Sequence, residues 1–181
     1  MAKLQGSTGE FSRLVEVERL DESEAVYDIV ASETERAGLA KRFGLSGLEN
    51  LSARVILRRD QGGTAIRVRG EISADVTQIC VVTLAPAPSR LRENFALLLV
   101  PGDDSARDVV VGLDDELDEP LPTGPLDIGE IVAQHLALAL PQYPRAPDAA
   151  VDRRWSEDGG ARGKPFAALA TLKAAGRQGG A

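Results

Sequence analysis

One cysteine, one histidine, one tryptophan and one methionine occur in 181 residues, and Phe, Tyr and Trp together reach only 4%. A single cysteine excludes an internal disulfide framework and suits a reducing cytosol. A zinc site built from several Cys or His side chains of one chain is excluded as well. A Ser–His–Asp or Cys–His device would have to use His135, with Cys80 or a serine brought alongside. Long apolar runs are missing too. The densest is FALLLV, Phe95–Val100, far short of the roughly 20 residues that cross a bilayer. The opening residues, MAKLQGSTGEFSRLVEVERL, show neither an apolar h-region nor a basic-then-apolar layout, so no signal peptide is expected. No GxxxxGK(S/T) or GxGxxG phosphate motif occurs, and Gly62-Gly63 suits a hairpin turn rather than a phosphate cradle. These absences leave a soluble, cytoplasmic protein with little provision for catalysis.

What is present is ordinary in amount and uneven in place. The chain is 43% hydrophobic and 27% charged, with a net charge of −7. Between Pro101 and Pro120 stand Asp103, Asp104, Asp108, Asp114, Asp115, Glu116, Asp118 and Glu119, eight acids against Arg107 alone. The other 20 acids and 20 bases cancel, so the whole imbalance sits in that segment. It reads either as a solvated acidic loop and strand edge or as a docking surface for a basic partner, such as a ribosomal or other RNA-binding protein.

Hydrophobic periodicity sets the expected elements. Phe11–Leu20 reads as a strand. Ser32 can cap a short helix, with Glu35 completing a capping box, and Gly44 and Gly47 end it. Leu51–Arg59 is a strand, Asp60–Gly63 a turn, and Thr64–Val82 a long second strand. In that strand the even positions Ile66, Val68, Gly70, Ile72, Ala74, Val76, Gln78 and Cys80 oppose Arg67, Arg69, Glu71, Ser73, Asp75 and Thr77. Such alternation puts one face in a core and the other in water, with a bend or bulge expected near Gly70. Ala85–Arg90 (APAPSR) reads as a connection, Leu91–Leu99 as a third strand and Asp108–Gly112 as a fourth. Asp127 caps a second helix with Glu130 at the box position, Ile128, Ile131, Val132, His135, Leu136 and Ala139 forming its apolar stripe until Pro141 stops it.

The expected architecture is α+β: an antiparallel-rich sheet of five or six strands, two main helices on one face and a C-terminal docking segment. Residues 1–147 form a single domain, 148–163 a flexible linker, 164–173 (KPFAALATLK) a short docking helix, and 174–181 a disordered tail. Cys80 falls in phase with the buried set, where cysteine acts as a small hydrophobe. His135 lies on an apolar stripe, where a half-buried structural histidine is the commoner finding. Arg54, Arg58, Arg59, Arg67 and Arg69 cluster on one hairpin. They make either a solubilising sheet face with cross-strand charge pairs or a patch that contacts RNA phosphate.

Three segments resemble the YceD family, the large ribosomal RNA subunit accumulation proteins: QICVVTLAP followed by RLRENFALLLVP, then GPLDIGEIVAQHLALALPQYP, then KPFAALATLK. The resemblance covers residues 50 to 173. It implies a non-enzymatic factor that promotes accumulation or processing of large-subunit (23S) ribosomal RNA, whose partners are ribosomal RNA, a large-subunit ribosomal protein, or both. On that reading Arg58, Arg59, Arg67 and Arg69 touch phosphate, and the acids Asp103, Asp104, Asp114, Asp115, Glu116, Asp118 and Glu119 screen a basic ribosomal protein. No catalytic residue, cofactor, metal, membrane or small-molecule substrate is implied. Many relatives carry a second cysteine three residues after the first; here Thr83 holds that place. A non-ribosomal interaction or scaffolding module is the alternative.

Overall fold

The structure, a computed structural model, describes residues 9–60, 64–101 and 117–150. The chain separates after Pro147 into two units, and every element described here belongs to the first. In order these are β1 (Leu14–Val15), a 3-10 turn (Val17–Arg19), β2 (Ala25–Val30), α1 (Glu33–Phe43), β3 (Gly47–Arg59), β4 (Ile66–Ile79), β5 (Pro86–Pro101), β6 (Leu117–Leu121), β7 (Leu126–Asp127) and α2 (Ile128–Ala139). A five-stranded sheet runs β2-β3-β4-β5-β6, and β1 pairs with β7 in a separate two-stranded sheet. All pairings are antiparallel except β5 with β6. The fold is α+β with a largely antiparallel sheet, as the pattern predicts.

The period-2 alternation of β4 determines which face is covered. Ile66, Val68, Ile72, Ala74 and Val76 are buried, and so are Leu51, Val55 and Leu57 of β3 and Phe95, Leu97 and Leu99 of β5. Leu39 of α1 and Ile128, Val132 and Leu136 of α2 join the same cluster. Both helices therefore cover the inner face, and each buried Leu or Ile stabilises the fold by roughly 1.5–3 kcal/mol. Their starts are held by side chains. Ser32 Oγ accepts the Glu35 N–H while Glu35 accepts the Ser32 N–H, and Gly44 closes α1 in the left-handed region at φ 65°. Asp127 Oδ1 accepts from the Gly129 and Glu130 N–H groups at 3.1 and 3.3 Å. The same carboxylate takes the Arg13 N–H at 2.8 Å and the Ser12 hydroxyl at 2.5 Å. One cap thus also pins the N-terminal segment across α2. Gly129 is required at that crossing, because a Cβ there would stand 2.6 Å from the Phe11 carbonyl oxygen.

Four expectations change. Phe11–Leu20 is not one strand: only Leu14–Val15 pairs, and a 3-10 turn follows, with Leu20 N–H donating to the Val17 carbonyl at 3.2 Å. That turn puts Val17 and Leu20, three apart, on one buried side. No bulge occurs at Gly70, since β4 and β5 stay in register throughout; the sheet's irregularity lies at Leu48/Asn50 of β3. Pro86–Arg90 belongs to β5 rather than to a connection. Pro86 and Pro88 are tolerated because, two apart, they share one strand edge, and β6 joins β5 only from Leu97 onward. Glu130 does not close a capping box; its carboxylate takes the Arg42 guanidinium at 2.7 and 2.9 Å. Strands β2 and β6 are absent from the sequence reading. Asp108–Gly112, expected as a strand, lies outside the described residues.

Candidate nucleic-acid interface

With both helices inside, the other face of the five-stranded sheet carries no covering element among the described residues. Its outward positions are the odd residues of β4 and the even residues of β3 and β5. Register aligns them in rows: Ser52 with Ser73, Arg54 with Glu71, Ile56 with Arg69, Arg58 with Arg67. β5 continues the rows with Arg92, Asn94, Ala96 and Leu98. Four of the five hairpin arginines are therefore brought together.

Their charge states of engagement differ. Arg54 Nε donates to Asp28 Oδ1 at 2.7 Å across β2–β3, and both are more than half exposed. That bond and the nearby Glu71 carboxylate raise the Arg54 pKa, so its charge is already answered. Arg67 lies 3.9 Å from Asp60. Arg58 and Arg69 have no ion pair among the described residues. Arg58 nevertheless stands directly opposite Arg67, a like-charge cross-strand pair that weakens a sheet. Arg59 is not part of the patch. Its odd phase turns it to the other side, where Nε donates to the Leu20 carbonyl at 3.0 Å and Nη2 to the Val17 carbonyl at 2.5 Å. It anchors the 3-10 turn.

Between Arg54 and Arg69 the face dips into an open hollow of about 410 Å³, lined also by Ile56, Gly70, Glu71, Asn94, Phe95 and Ala96. Arg90 was hidden by the prolines before it, which suggest a connection; Arg92 and Asn94 lie inside the expected Leu91–Leu99 strand, on a strand that the arginine hairpin does not include. Their even spacing against Leu91 and Phe95 was the available signal.

The acidic candidates Asp103, Asp104, Asp114, Asp115 and Glu116 lie outside the described residues. Asp118 and Glu119 fall in β6, opposite Leu98 and Leu99. The Glu119 carboxylate acts on His135, as does Glu93, each favouring the charged imidazole, but burial outweighs them and lowers the His135 pKa. The His135 ring stacks on Phe95 with centroids 4.1 Å apart and planes 10° from parallel. Phe95 in turn occupies the space a Gly70 side chain would fill. His135 is thus a packing element of α2 against β4 and β5.

Cys80 is buried, as its strand phase predicts. It begins the turn between β4 and β5, and its Sγ accepts the Val82 and Thr83 N–H groups at 3.4 Å each. The Thr83 hydroxyl, with N–H groups including that of Ala146, lowers the thiol to about 6 despite the opposing effect of burial. No other thiol or imidazole stands beside it, and among the described residues no group of three or more His, Cys, Asp or Glu is placed to hold a metal ion. No described helix is long and apolar enough to cross a membrane.

Comparison with known proteins agrees with the motifs. No curated protein and no solved structure matched the chain. The family model described as large ribosomal RNA subunit accumulation protein YceD matches residues 68–173, more than half of the chain, from β4 through the outer-face positions of β5 and α2 to the KPFAALATLK segment. The chain belongs to the YceD family.

Proposed function

We propose that this protein acts as a non-enzymatic, cytoplasmic factor that promotes large-subunit ribosomal RNA accumulation by binding the RNA through the outer face of its sheet. The observation that carries the reading is the uncovered arginine cluster. Arg58 and Arg69, neither with an ion pair among the described residues, stand on that face beside Arg67, so a phosphate can lie between their guanidinium groups. The family description supports the destination of that RNA. The acids between Asp103 and Glu119 serve, on this proposal, to hold a basic ribosomal protein. The test is to delete the gene and follow precursor and mature large-subunit RNA, then complement with the doubly substituted R58A/R69A chain. Loss of mature RNA that only the wild-type chain restores supports the proposal; unchanged RNA in the deletion removes it.

A protein-docking reading has an observation of its own. Val81 and Leu84 of the β4–β5 turn and Tyr143 are apolar and exposed, Leu84 by 75%. The Val81 N–H donates to the Pro144 carbonyl at 2.9 Å, which keeps the turn beside Tyr143. Capture of one discrete non-ribosomal partner through this end, insensitive to nuclease, would favour a scaffolding role.

A further inference from the structure

We infer that the RNA element held by the outer face is an A-form double helix, engaged across its shallow groove, and not an unpaired strand; the inference rests on the reading of this face as an RNA interface. Proteins that hold single strands stack bases on aromatic rings, each worth roughly 1–3 kcal/mol. The outward rows of β2 to β5 offer none among the described residues. Phe11 and Phe95 are buried in the core, and Tyr27, paired with Val55, packs against that core too. An unpaired strand would find arginines but no platform for its bases.

A double helix asks for other things, and the face has them. Its bases are already stacked, and it presents phosphates at fixed positions beside a wide, shallow minor groove displaying 2′-hydroxyl groups. At one end of the face Arg58 and Arg67 sit on adjacent strands, about 5 Å apart in the sheet, with Arg69 about 7 Å further along β4. Beside them lies a band of small hydrogen-bonding groups: Ser52 opposite Ser73, and Asn94 opposite Glu71. Hydroxyl, amide and carboxylate groups at that depth can bond 2′-hydroxyls, while the guanidinium groups meet the phosphates that border the groove. The surface between is a shallow dip, not a slot that would enclose a flipped base. The recognition is of helical shape and sugar rather than of sequence, so it tolerates many duplexes and discriminates against DNA.

Equilibrium binding of the full chain to three labelled probes tests this: an RNA duplex of about twenty base pairs, one of its strands alone, and the DNA duplex of the same sequence. The RNA duplex is expected to bind at least tenfold more tightly than either of the others. R58A/R69A, which removes two side chains without an ion pair among the described residues, should reduce the slope of log K against log salt by about two. Circular dichroism shows whether that variant keeps its fold; if it does not, R69A alone, expected to lower the slope by about one, takes its place. Equal or tighter binding of the single strand overturns the duplex inference and leaves the RNA interface standing. Equal binding of DNA overturns the role of the 2′-hydroxyls. Failure of every probe to bind, or binding that a folded arginine variant leaves unchanged, overturns the RNA reading itself.

Discussion

Replacing Gly70 by alanine should be among the most disruptive one-carbon changes in the sheet. An added Cβ would stand 2.2 Å from two ring carbons of Phe95 and 3.1 Å from a third. The ring has little room to yield, because His135 is stacked on it at 4.1 Å. Overpacking of this kind costs about 1–3 kcal/mol, and disturbing a stacked aromatic pair adds about 0.5–1.5 kcal/mol. Alanine in a strand offsets about 0.5–1 kcal/mol of that through lower chain entropy. The net expectation for Gly70→Ala is a loss of about 2–3 kcal/mol. In a Phe95→Ala background the clash is gone, and the same change should be neutral or stabilise by about 0.5–1 kcal/mol. The cycle therefore carries a coupling of roughly 2–4 kcal/mol, far above the few tenths expected of independent sites. Urea unfolding of the four proteins, followed by far-UV circular dichroism, measures it. If Gly70→Ala leaves the wild-type midpoint unmoved, the explanation of why glycine occupies a core-facing strand position is wrong.

Acidification should destabilise the protein in two separable windows. Burial holds the His135 pKa below 6.5, so the folded state resists protonation and its contribution, complete above 6.5, is lost as pH falls from 6.5 through the lower folded-state value. The Arg13 guanidinium, bonded to Glu35 at 2.6 and 3.1 Å, lowers Glu35 from 4.5 to about 2, so that contribution is lost between those values. Urea midpoints across pH should show His135→Phe abolishing the upper step and Glu35→Gln the lower, the latter costing about 1–2 kcal/mol at neutral pH after allowance for solvent screening. Asp127→Ala should cost about 2–4 kcal/mol by the same assay, since it removes a helix cap and strands the buried Ser12 hydroxyl and the Arg13 N–H. Cys80 should react slowly with a disulfide reagent in the folded state and quickly in urea, because its acidic thiol is sealed from solvent; fast labelling of the native protein would contradict the burial.

The covered side of the sheet was readable because β3, β4 and α2 are long and keep one period, so a single error of phase would have turned many side chains the wrong way. The caps at Ser32 and Asp127 were readable because capping is local chemistry. β2 was missed for the opposite reason: Val26 and Val30 face outward and are exposed, so AVYDIV is apolar on both sides and shows no alternation. β6, LDEPL, resembles an acidic loop and becomes a strand only beside β5. In the candidate site, the grouping of the arginines followed from the hairpin, but their inequality did not. Arg59 leaves the patch through one step of strand parity, and Arg54 is answered by Asp28 from a strand the sequence had not revealed. Arg92 and Asn94 enter it because β5 pairs with β4 in the register that sets them beside Ser73 and Glu71 on the outer face.

On the proposed function, the outer face of the sheet meets RNA phosphate. Sedimentation of the tagged chain with precursor large-subunit particles, repeated over a range of salt concentrations for the wild type and for R58A/R69A, tests that directly. A phosphate interface gives association that falls steeply with salt in the wild type, and a weaker, flatter dependence in the variant. A shallow dependence shared by both proteins would place the contact elsewhere on the molecule and contradict the account.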